Sequence, residues 1–270
     1  MASAMSLRPM GLLEIVDQTF RLYRRSFLVF FGIAAVIYVP AGILSAVPEV
    51  GMFVSVIFMP LYLVAGGALT KAVSDRYLGE SVSVGQSYRY VAQRFWPFAV
   101  TMLAAYVLVL AGIALLIVGA IVFAFWIMFV PQVFIIEGKR NFAAVWRSRF
   151  LIGKGVWAEL IVLLIIVGVL GALIGLALGV AFGGPTLFLA GQGKGEGTIL
   201  FGLVYGLIQA LVLPINQIAT VLLYYDSRIR KEGFDLEMLA KEMGVATAAG
   251  PAPPPGQAGP GAAAETGQQM

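Results

Sequence analysis

The residues from Trp96 to Ile136 form a run of 41 positions without a charged side chain. A single helix of that length would extend about 60 Å, which is twice the roughly 30 Å thickness of the hydrocarbon layer of a membrane. The run therefore predicts two membrane spans joined by a tight turn. We place the turn near Gly119, because Arg94 before the run and Lys139 after it then lie on the same side of the membrane.

The composition of the chain agrees with a membrane protein. Apolar residues make up 60% of its 270 residues and charged residues only 12%, with a mean hydropathy of +0.92. Soluble domains are about 45–50% apolar and about 25% charged, so this chain has too little polar surface to cover a water-soluble globule. It contains no cysteine and no histidine. This excludes disulfides and thiolate metal sites, and it removes the commonest general base near neutral pH.

Six apolar spans are predicted along the chain. They cover residues 27–47, 50–73, 96–117, 119–136, 157–182 and 198–225. With six spans, 17 of the 18 Lys and Arg residues lie on one side of the membrane and only Lys194 lies on the other. Positive charge beside spans is typical of the cytoplasmic side, and a five-span chain would lose this asymmetry. We therefore predict an all-α, multi-pass protein of the cytoplasmic membrane with both termini in the cytoplasm.

Three parts of the chain are distinguished by composition. Residues 1–10 form an N-terminal segment, residues 11–243 the six-span membrane domain, and residues 244–270 a tail rich in Ala, Pro and Gly. A tail of this composition cannot bury a core, so it is predicted to be disordered and cytoplasmic. Just before it, Asp235 is predicted to cap a short helix that runs to Met243.

A basic amphipathic helix is predicted before each pair of spans, within residues 12–27, 84–95 and 142–150. Such helices lie in the headgroup plane with their apolar side toward the hydrocarbon. The second span of each pair also contains a proline: Pro60, Pro131 and Pro214. The pattern indicates three repeats of an interfacial helix plus a hairpin. The alternative is that any hairpin which leaves and re-enters the same side needs a basic flank.

The cations of these helices are the candidate contacts to lipid headgroups. The net charge is +4 and the pI is about 9.4, but the basic residues lie at span ends rather than on one folded face. This placement argues against nucleic acid as a partner and favours anionic lipid headgroups. The candidates are Arg21, Arg24, Arg25, Arg89, Arg94, Arg147, Arg149 and Lys154.

The sixth span is the most polar, and several of its polar side chains fall near one helical face. Buried polar groups in lipid need partners, so this face is predicted to point into the bundle. Interhelical hydrogen bonding and a polar path or small-molecule site both fit such a face. Its candidate residues, with one partner beside Pro131, are Tyr205, Gln209, Asn216, Gln217, Thr220 and Gln132.

Glycines recur at every fourth position in the fifth span, at Gly171, Gly175 and Gly179, and again at Gly202 and Gly206 in the sixth. Small residues at this spacing allow a neighbouring helix to approach closely. Packing within the monomer and a dimer interface would both use such a surface.

No catalytic, cofactor-binding or metal-binding group is predicted. Glu137 and Glu159 are the acidic residues nearest the membrane on the basic side, and they fit either interfacial ion pairs or a proton relay. The glycine-rich segment 191–195 lacks the spacing of a phosphate-binding loop. We therefore expect a protein that is not an enzyme and uses no cofactor.

Several segments resemble a prokaryotic family of membrane proteins. They are LRPMG at 7–11, FRLYRR at 20–25, EG at 137–138, RS at 147–148 and YYDSRIRKEGFD at 224–235. The family is described as resembling the membrane domain of glycerophosphoryl diester phosphodiesterases, and the resemblance covers about residues 7–240. It implies a multi-span protein of largely uncharacterised role. It does not imply phosphodiester hydrolysis, because that activity belongs to a separate soluble domain of the full-length enzymes.

We expect a non-catalytic membrane protein that organises lipids or partner proteins through its basic helices, with a homo-oligomer as one form. The alternative is a transporter or channel for a small solute that uses the polar face of the sixth span. A third class is an intramembrane enzyme that depends on Glu137, Glu159 or Asp226.

Overall fold

The computed structural model describes residues 8–47, 50–114, 116–153, 156–183 and 195–242, and these residues form helices and no strand. In chain order the helices are α1 (Leu12–Arg25), α2 (Phe27–Ser45), α3 (Gly51–Tyr77), α4 (Val84–Ala92), α5 (Phe95–Ala114), α6 (Leu116–Trp126), α7 (Val130–Gln132), α8 (Asn141–Leu151), α9 (Val156–Leu178), α10 (Gly195–Glu232) and α11 (Phe234–Glu242). A π-helical turn follows α7 over Val133–Glu137, and another follows α9 over Gly179–Gly183. The predicted tail, 244–270, and Lys194 lie outside the described residues.

Five helical segments of the described chain are long and apolar enough to cross a membrane. They are Phe27–Ser45, Val56–Tyr77, Phe95–Ile113, Gly119–Glu137 and Ile199–Glu232. The division of the uncharged run into two spans is therefore confirmed, with α5 ending at Ala114, before the predicted turn near Gly119. The predicted fifth span, 157–182, is represented by a shorter apolar helix, Ile165–Ala181. These helices indicate a multi-pass membrane protein.

The outer surface of these spans is apolar, as contact with lipid tails requires. Large hydrophobic side chains are strongly exposed on it, among them Phe53, Ile57, Leu103, Leu110 and Leu176. A soluble monomer rarely exposes a continuous apolar surface of this kind. Lipid is therefore the natural solvent for the outside of the bundle.

Helix α10 is the element around which the others are arranged. It contacts α1, α2, α3, α8, α9 and α11. Its 38 residues extend about 57 Å, roughly twice the hydrocarbon thickness, so part of it projects beyond the span. Residues 221–227 are all buried, and they include the fully buried Tyr224 and Tyr225. A continuous part of the core therefore surrounds the C-terminal end of α10.

Helices α2 and α10 meet backbone to backbone. A Cβ atom added at Gly202 would overlap the carbonyl oxygen of Gly42, and one added at Gly206 would lie 2.5 Å from the carbonyl oxygen of Tyr38. Neither position accepts a side chain unless the two helices separate. The glycine pair of the sixth span therefore packs within the monomer, and Gly171 of the fifth span likewise faces α10.

The three predicted amphipathic helices are present as α1, α4 and α8. The hydroxyl of Ser83 caps α4 by accepting a hydrogen bond from the backbone N–H of Gln86 at 3.3 Å. In α8, Val145 is buried against the bundle, whereas Phe142 and Trp146 are exposed. The predicted apolar stripe of α8 is thus divided between two faces, because one face packs on protein and the other remains for lipid.

Helix α1 runs lengthwise along α10. Met10, just before α1, is bonded to Asp226, and the Tyr23 hydroxyl near the other end donates to the carbonyl oxygen of Leu211 at 2.8 Å. Leu211 and Asp226 are 15 positions apart, or about 22 Å along a helix, which is close to the length of α1. Helix α1 therefore packs along α10, with its Tyr23 end toward Leu211. Burial raises the pKa of Tyr23 to about 12, which keeps its hydroxyl a donor.

The glycine contact between α2 and α10 gives a stability prediction. We expect Gly202→Ala to lower the free energy of unfolding by about 1–3 kcal/mol, the usual cost of overpacking. The matched control is Gly66→Ala in α3, where a Cβ atom meets nothing within 4 Å. Denaturation in detergent, followed by circular dichroism, measures both variants. Equal stability of the two would contradict the close contact.

Candidate functional site

Polar side chains from distant parts of the chain meet at one end of the bundle, which we call the basic end. It is formed by α1, α4, α8, the last turns of α3 and the C-terminal third of α10. Tyr90 of α4 donates to the carbonyl oxygen of Ile135 at 3.0 Å, and the hydroxyls of Ser74 in α3 and Tyr225 in α10 are 2.7 Å apart. The basic flanks of different spans therefore lie together.

Glu137 is the centre of an ion-pair cluster at this end, which we call the Glu137 cluster. Arg147 donates to its Oε2 from Nε at 2.7 Å, and the Tyr224 hydroxyl donates to its Oε1 at 2.7 Å. Arg147 also donates from Nη2 to Glu232 at 2.6 Å. Nε of Arg228 lies 3.3 Å from the same Glu232 carboxylate. The cluster thus joins the end of the fourth span to α8 and α10.

The Glu137 cluster is shielded from solvent. The side chains of Glu137, Arg228 and Arg147 expose only 9%, 13% and 15% of their surface. Charges buried to this degree need close partners, because an unpaired one is strongly destabilising. Hydrogen bonds to Glu232 and Glu137 hold the pKa of the Arg147 guanidinium above its ordinary value. Of the two roles expected for Glu137, the geometry matches the ion pair.

The segment before α1 is fixed to the same end of α10. The backbone N–H of Met10 donates to Oδ1 of Asp226 at 2.8 Å, and Nη2 of Arg230 donates to the carbonyl oxygen of Met10 at 2.7 Å. Nε of Arg230 also lies 2.7 Å from Oδ2 of Asp226. These contacts engage the Asp226 carboxylate, so its evident role is to hold the N-terminal segment.

The segments that carry the family resemblance converge on the basic end. The first contributes Met10, the central ones contribute Glu137 and Arg147, and the last contributes the buried end of α10. Ser148, from the same RS pair as Arg147, accepts a hydrogen bond from the backbone N–H of Phe129 at 3.1 Å. In this structure, residues of these segments make polar contacts that connect different helices.

Removal of one partner from the Glu137 cluster should unfold the protein more easily. Arg147→Met leaves the shielded carboxylate of Glu137 and the more exposed one of Glu232 short of a partner, and breaking a buried pair typically costs about 3–5 kcal/mol. We expect a loss of this order in detergent denaturation. Arg140→Gln is the matched control, because Arg140 is exposed beside the same helix. Similar losses for both variants would contradict the structural role of the cluster.

Six of the eight predicted headgroup contacts are exposed: Arg21, Arg24, Arg25, Arg89, Arg94 and Arg149. Arg21 forms an ion pair with Asp17 at 2.5 Å. Arg147 differs from the prediction, because the Glu137 cluster holds it inside the protein. Lys154 lies outside the described residues.

Tryptophan side chains accompany the exposed cations. The guanidinium of Arg149 lies 4.1 Å from the ring centre of Trp126 and 4.9 Å from that of Trp146. Trp146 and Trp96 expose 61% and 75% of their surface. Aromatic rings beside cations are typical of the layer where lipid headgroups meet hydrocarbon. The outer rim of the basic end therefore fits that layer.

The polar side chains of the sixth span are divided between two cavities. Tyr205, Gln209 and Asn216 line a cavity of about 510 Å³ between α9 and α10, and Gln209 donates to the Tyr205 hydroxyl at 2.8 Å. Gln217 lines another cavity, of about 520 Å³, on the side of α3 and α5. There it donates to the hydroxyl of Thr70 at 2.6 Å. Polar side chains that were predicted to share one face of α10 therefore line two different cavities.

Two further residues of the predicted polar face, Thr220 and Gln132, line neither of these two cavities. The Thr220 hydroxyl donates within α10, to the carbonyl oxygen of Asn216 at 2.8 Å. Gln132 is 1% exposed, and its Oε1 has no hydrogen-bond partner. In the described structure no hydrogen bond joins Gln132 to the polar side chains of α10.

Sequence analysis missed three residues that make polar contacts between helices: Thr70, Ser74 and Glu232. Thr70 and Ser74 are four positions apart in the apolar α3, so they lie on one helical face. Glu232 follows Arg228 by four positions, the spacing of an ion pair within a helix. For all three residues, a spacing of four positions along a helix was the sequence signal that could have predicted their contacts.

Within the part of the chain that the structure describes, no group of three or more Asp or Glu side chains could hold a metal ion. The side chain of Glu159 lies outside that part. Comparison with known proteins gives no match to a family model, a curated protein or a solved structure.

Proposed function

We propose that this chain is a non-catalytic integral protein of the cytoplasmic membrane that gathers anionic lipids, and with them partner proteins or further copies, around its basic end. The observation that carries the proposal is the joint exposure of cations and tryptophans on the rim of that end. Each such cation near an anionic membrane surface contributes about 1 kcal/mol of attraction. Tryptophans fix the depth of the rim in the bilayer.

The proposed topology has six spans with both termini in the cytoplasm. The 23 residues of α9 extend about 35 Å, enough to cross the hydrocarbon layer as the fifth span. In support, basic flanks of different helices lie together at the basic end, as expected if each proposed hairpin returns to the side from which it left. Among the described residues, a short basic helix followed by two apolar helical segments occurs three times, which supports the proposed threefold repeat.

Membership of the family that resembles the membrane domain of glycerophosphoryl diester phosphodiesterases is part of this proposal. Its support is the convergence of the resembling segments on the Glu137 cluster and on Asp226. In such a family these residues would have a structural role, so no hydrolytic activity is proposed.

The lipid proposal predicts a change in the lipids that accompany the protein. Neutralising the three exposed cations in Arg89→Gln/Arg94→Gln/Arg149→Gln removes about 1 kcal/mol of attraction each, or about fivefold per cation in the partition of anionic lipid. Mass spectrometry of the lipids retained after purification in mild detergent measures the ratio of anionic to zwitterionic species. We expect this ratio to fall sharply in the variant.

The matched control keeps the charge and changes only the side-chain geometry. Arg89→Lys/Arg94→Lys/Arg149→Lys should retain the anionic lipid of the unchanged protein, because diffuse attraction depends on charge. An unchanged lipid ratio in the glutamine variant, with normal folding by circular dichroism, would sink the proposal.

A second candidate function, the binding or passage of a small solute, is supported by the cavity between α9 and α10. Its volume lies within the range of about 300–1,000 Å³ that is usual for small-molecule sites. Tyr205, Gln209 and Asn216 supply polar groups to one wall, while Gly171 and Gly175 keep the opposite wall open.

Gln209→Leu/Asn216→Leu separates solute binding from helix packing. If the cavity binds or passes a solute, the variant should keep its expression and stability and lose flux in vesicles of purified protein. If the amides only pack, the variant should lose stability, with no flux in the unchanged protein. Circular dichroism and uptake by reconstituted vesicles are the two measurements.

A further inference from the structure

A distinct cavity of about 340 Å³ lies within the basic end, at the junction of α1 and α2. It is located where α1 ends, α2 begins, and the last turn of α3 meets the loop that leads to α4. Its wall is formed by Arg24, Arg25, Ser26, Phe27, Leu28, Val29, Arg76 and Val82. Three arginines from two different helices therefore line one small space.

These three arginines have no acidic partner among the described residues. The residues that line the cavity include no carboxylate, and Arg24, Arg25 and Arg76 form no ion pair with a described side chain. In contrast to them, Arg147 and Arg228 are paired within the Glu137 cluster. The positive charge at the junction of α1 and α2 is therefore not neutralised locally.

Arg76 adds a more specific observation. Its Nε atom is buried and has no hydrogen-bond acceptor in the protein. A buried donor without an acceptor typically costs about 1–3 kcal/mol, and more when it is charged. The described protein therefore leaves this guanidinium short of one acceptor, next to a cavity that Arg76 lines.

The first turn of α2 contributes to the same wall. Only Ser26 separates this turn from the C-terminal end of α1, whose partial negative charge offsets the partial positive charge of the α2 N-terminus. The side chains, and not the helix end, therefore determine the charge of the wall. Ser26 makes no capping hydrogen bond with its side chain, so its hydroxyl adds one donor to those of the arginines.

The chemistry of the wall favours a phosphate group on a lipid. Guanidinium groups bind phosphate oxygens through paired N–H bonds, and a phosphate monoester carries about −1.5 to −2 charges near neutral pH. Leu28 lines the cavity and exposes 78% of its surface. The apolar wall thus continues onto the outside of the bundle, where an acyl chain can lie.

We propose that this cavity, the junction site, binds the phosphate monoester headgroup of a membrane lipid such as phosphatidic acid, with Arg24, Arg25 and Arg76 as its ligands. The inference rests on the proposed function and makes it more specific. The exposed cations of α4 and α8 attract anionic lipids diffusely, whereas the junction site holds one headgroup by directed hydrogen bonds.

The test is a titration of the full-length protein in zwitterionic nanodiscs with dioctanoyl phosphatidic acid. Dioctanoyl phosphatidylcholine and inorganic phosphate are the comparison ligands, and bound lipid is counted by native mass spectrometry. We expect saturable binding of one phosphatidic acid. Arg76→Gln should weaken this binding at least tenfold, whereas the matched variant Arg140→Gln, at an exposed arginine outside the cavity and the rim, should leave it within about twofold.

A measurement on the unchanged protein covers the case in which Arg76→Gln does not fold. Phenylglyoxal modifies accessible arginines, and peptide mass spectrometry reports the extent at each position. Dioctanoyl phosphatidic acid should protect Arg24 and Arg25 and leave Arg140 reactive, because Arg140 is exposed and lies outside both the cavity and the rim.

Several outcomes would overturn the junction site or its assignment. Equal affinity of the unchanged protein and Arg76→Gln for phosphatidic acid, or no protection of Arg24 and Arg25, excludes the site. Equal affinity for inorganic phosphate and phosphatidic acid excludes a lipid as the specific ligand. If the variant of the exposed rim keeps its anionic lipid while Arg76→Gln loses phosphatidic acid, the diffuse function fails and the junction site stands.

Discussion

A buried charge in a membrane protein needs a partner inside the protein, and the Glu137 cluster is where this chain meets that requirement. The carboxylate of Glu137 accepts from Arg147 and Tyr224, and Arg147 in turn reaches Glu232. These contacts connect the fourth span, α8 and the projecting end of α10. Because each of these charges depends on the others, a displacement of one of these elements would leave a shielded charge without its partner.

That arrangement separates the cations of the basic end by role. Arg147 and Arg228 are used internally, whereas Arg89, Arg94 and Arg149 remain at the exposed rim, where Arg149 lies against Trp126 and Trp146. A third environment occurs at the junction of α1 and α2, where unpaired arginines surround a cavity. The proposed functions follow from this division, since diffuse attraction needs only exposed charge, whereas a specific headgroup site needs several donors around one space.

Much of the architecture follows from sequence periodicity, and the exceptions have identifiable causes. The three basic helices and the division of the run 96–136 were predictable, because hydrophobic spacing and span length are local properties. The lengthwise packing of α1 on α10 was not predictable, since it depends on a hydrogen bond between Met10 and Asp226, which are far apart in the chain. The polar face of the sixth span was recognised, but Gln217 and Asn216 serve different cavities because different helices cover the two sides of α10.

The sequence by itself determined that lipid surrounds this chain and that its cations flank the spans, because transfer of apolar and charged groups into hydrocarbon depends on residue type alone. Only the tertiary structure decided which cations are paired and which are free. In the sequence, Arg147 and Arg76 are both basic residues near span ends. In the structure, Arg147 contacts the carboxylates of Glu137 and Glu232, whereas Arg76 lines a cavity whose wall contains no carboxylate. The physical reason is that an ion pair requires its atoms within a few ångströms, a distance that only the packing of separate helices can set.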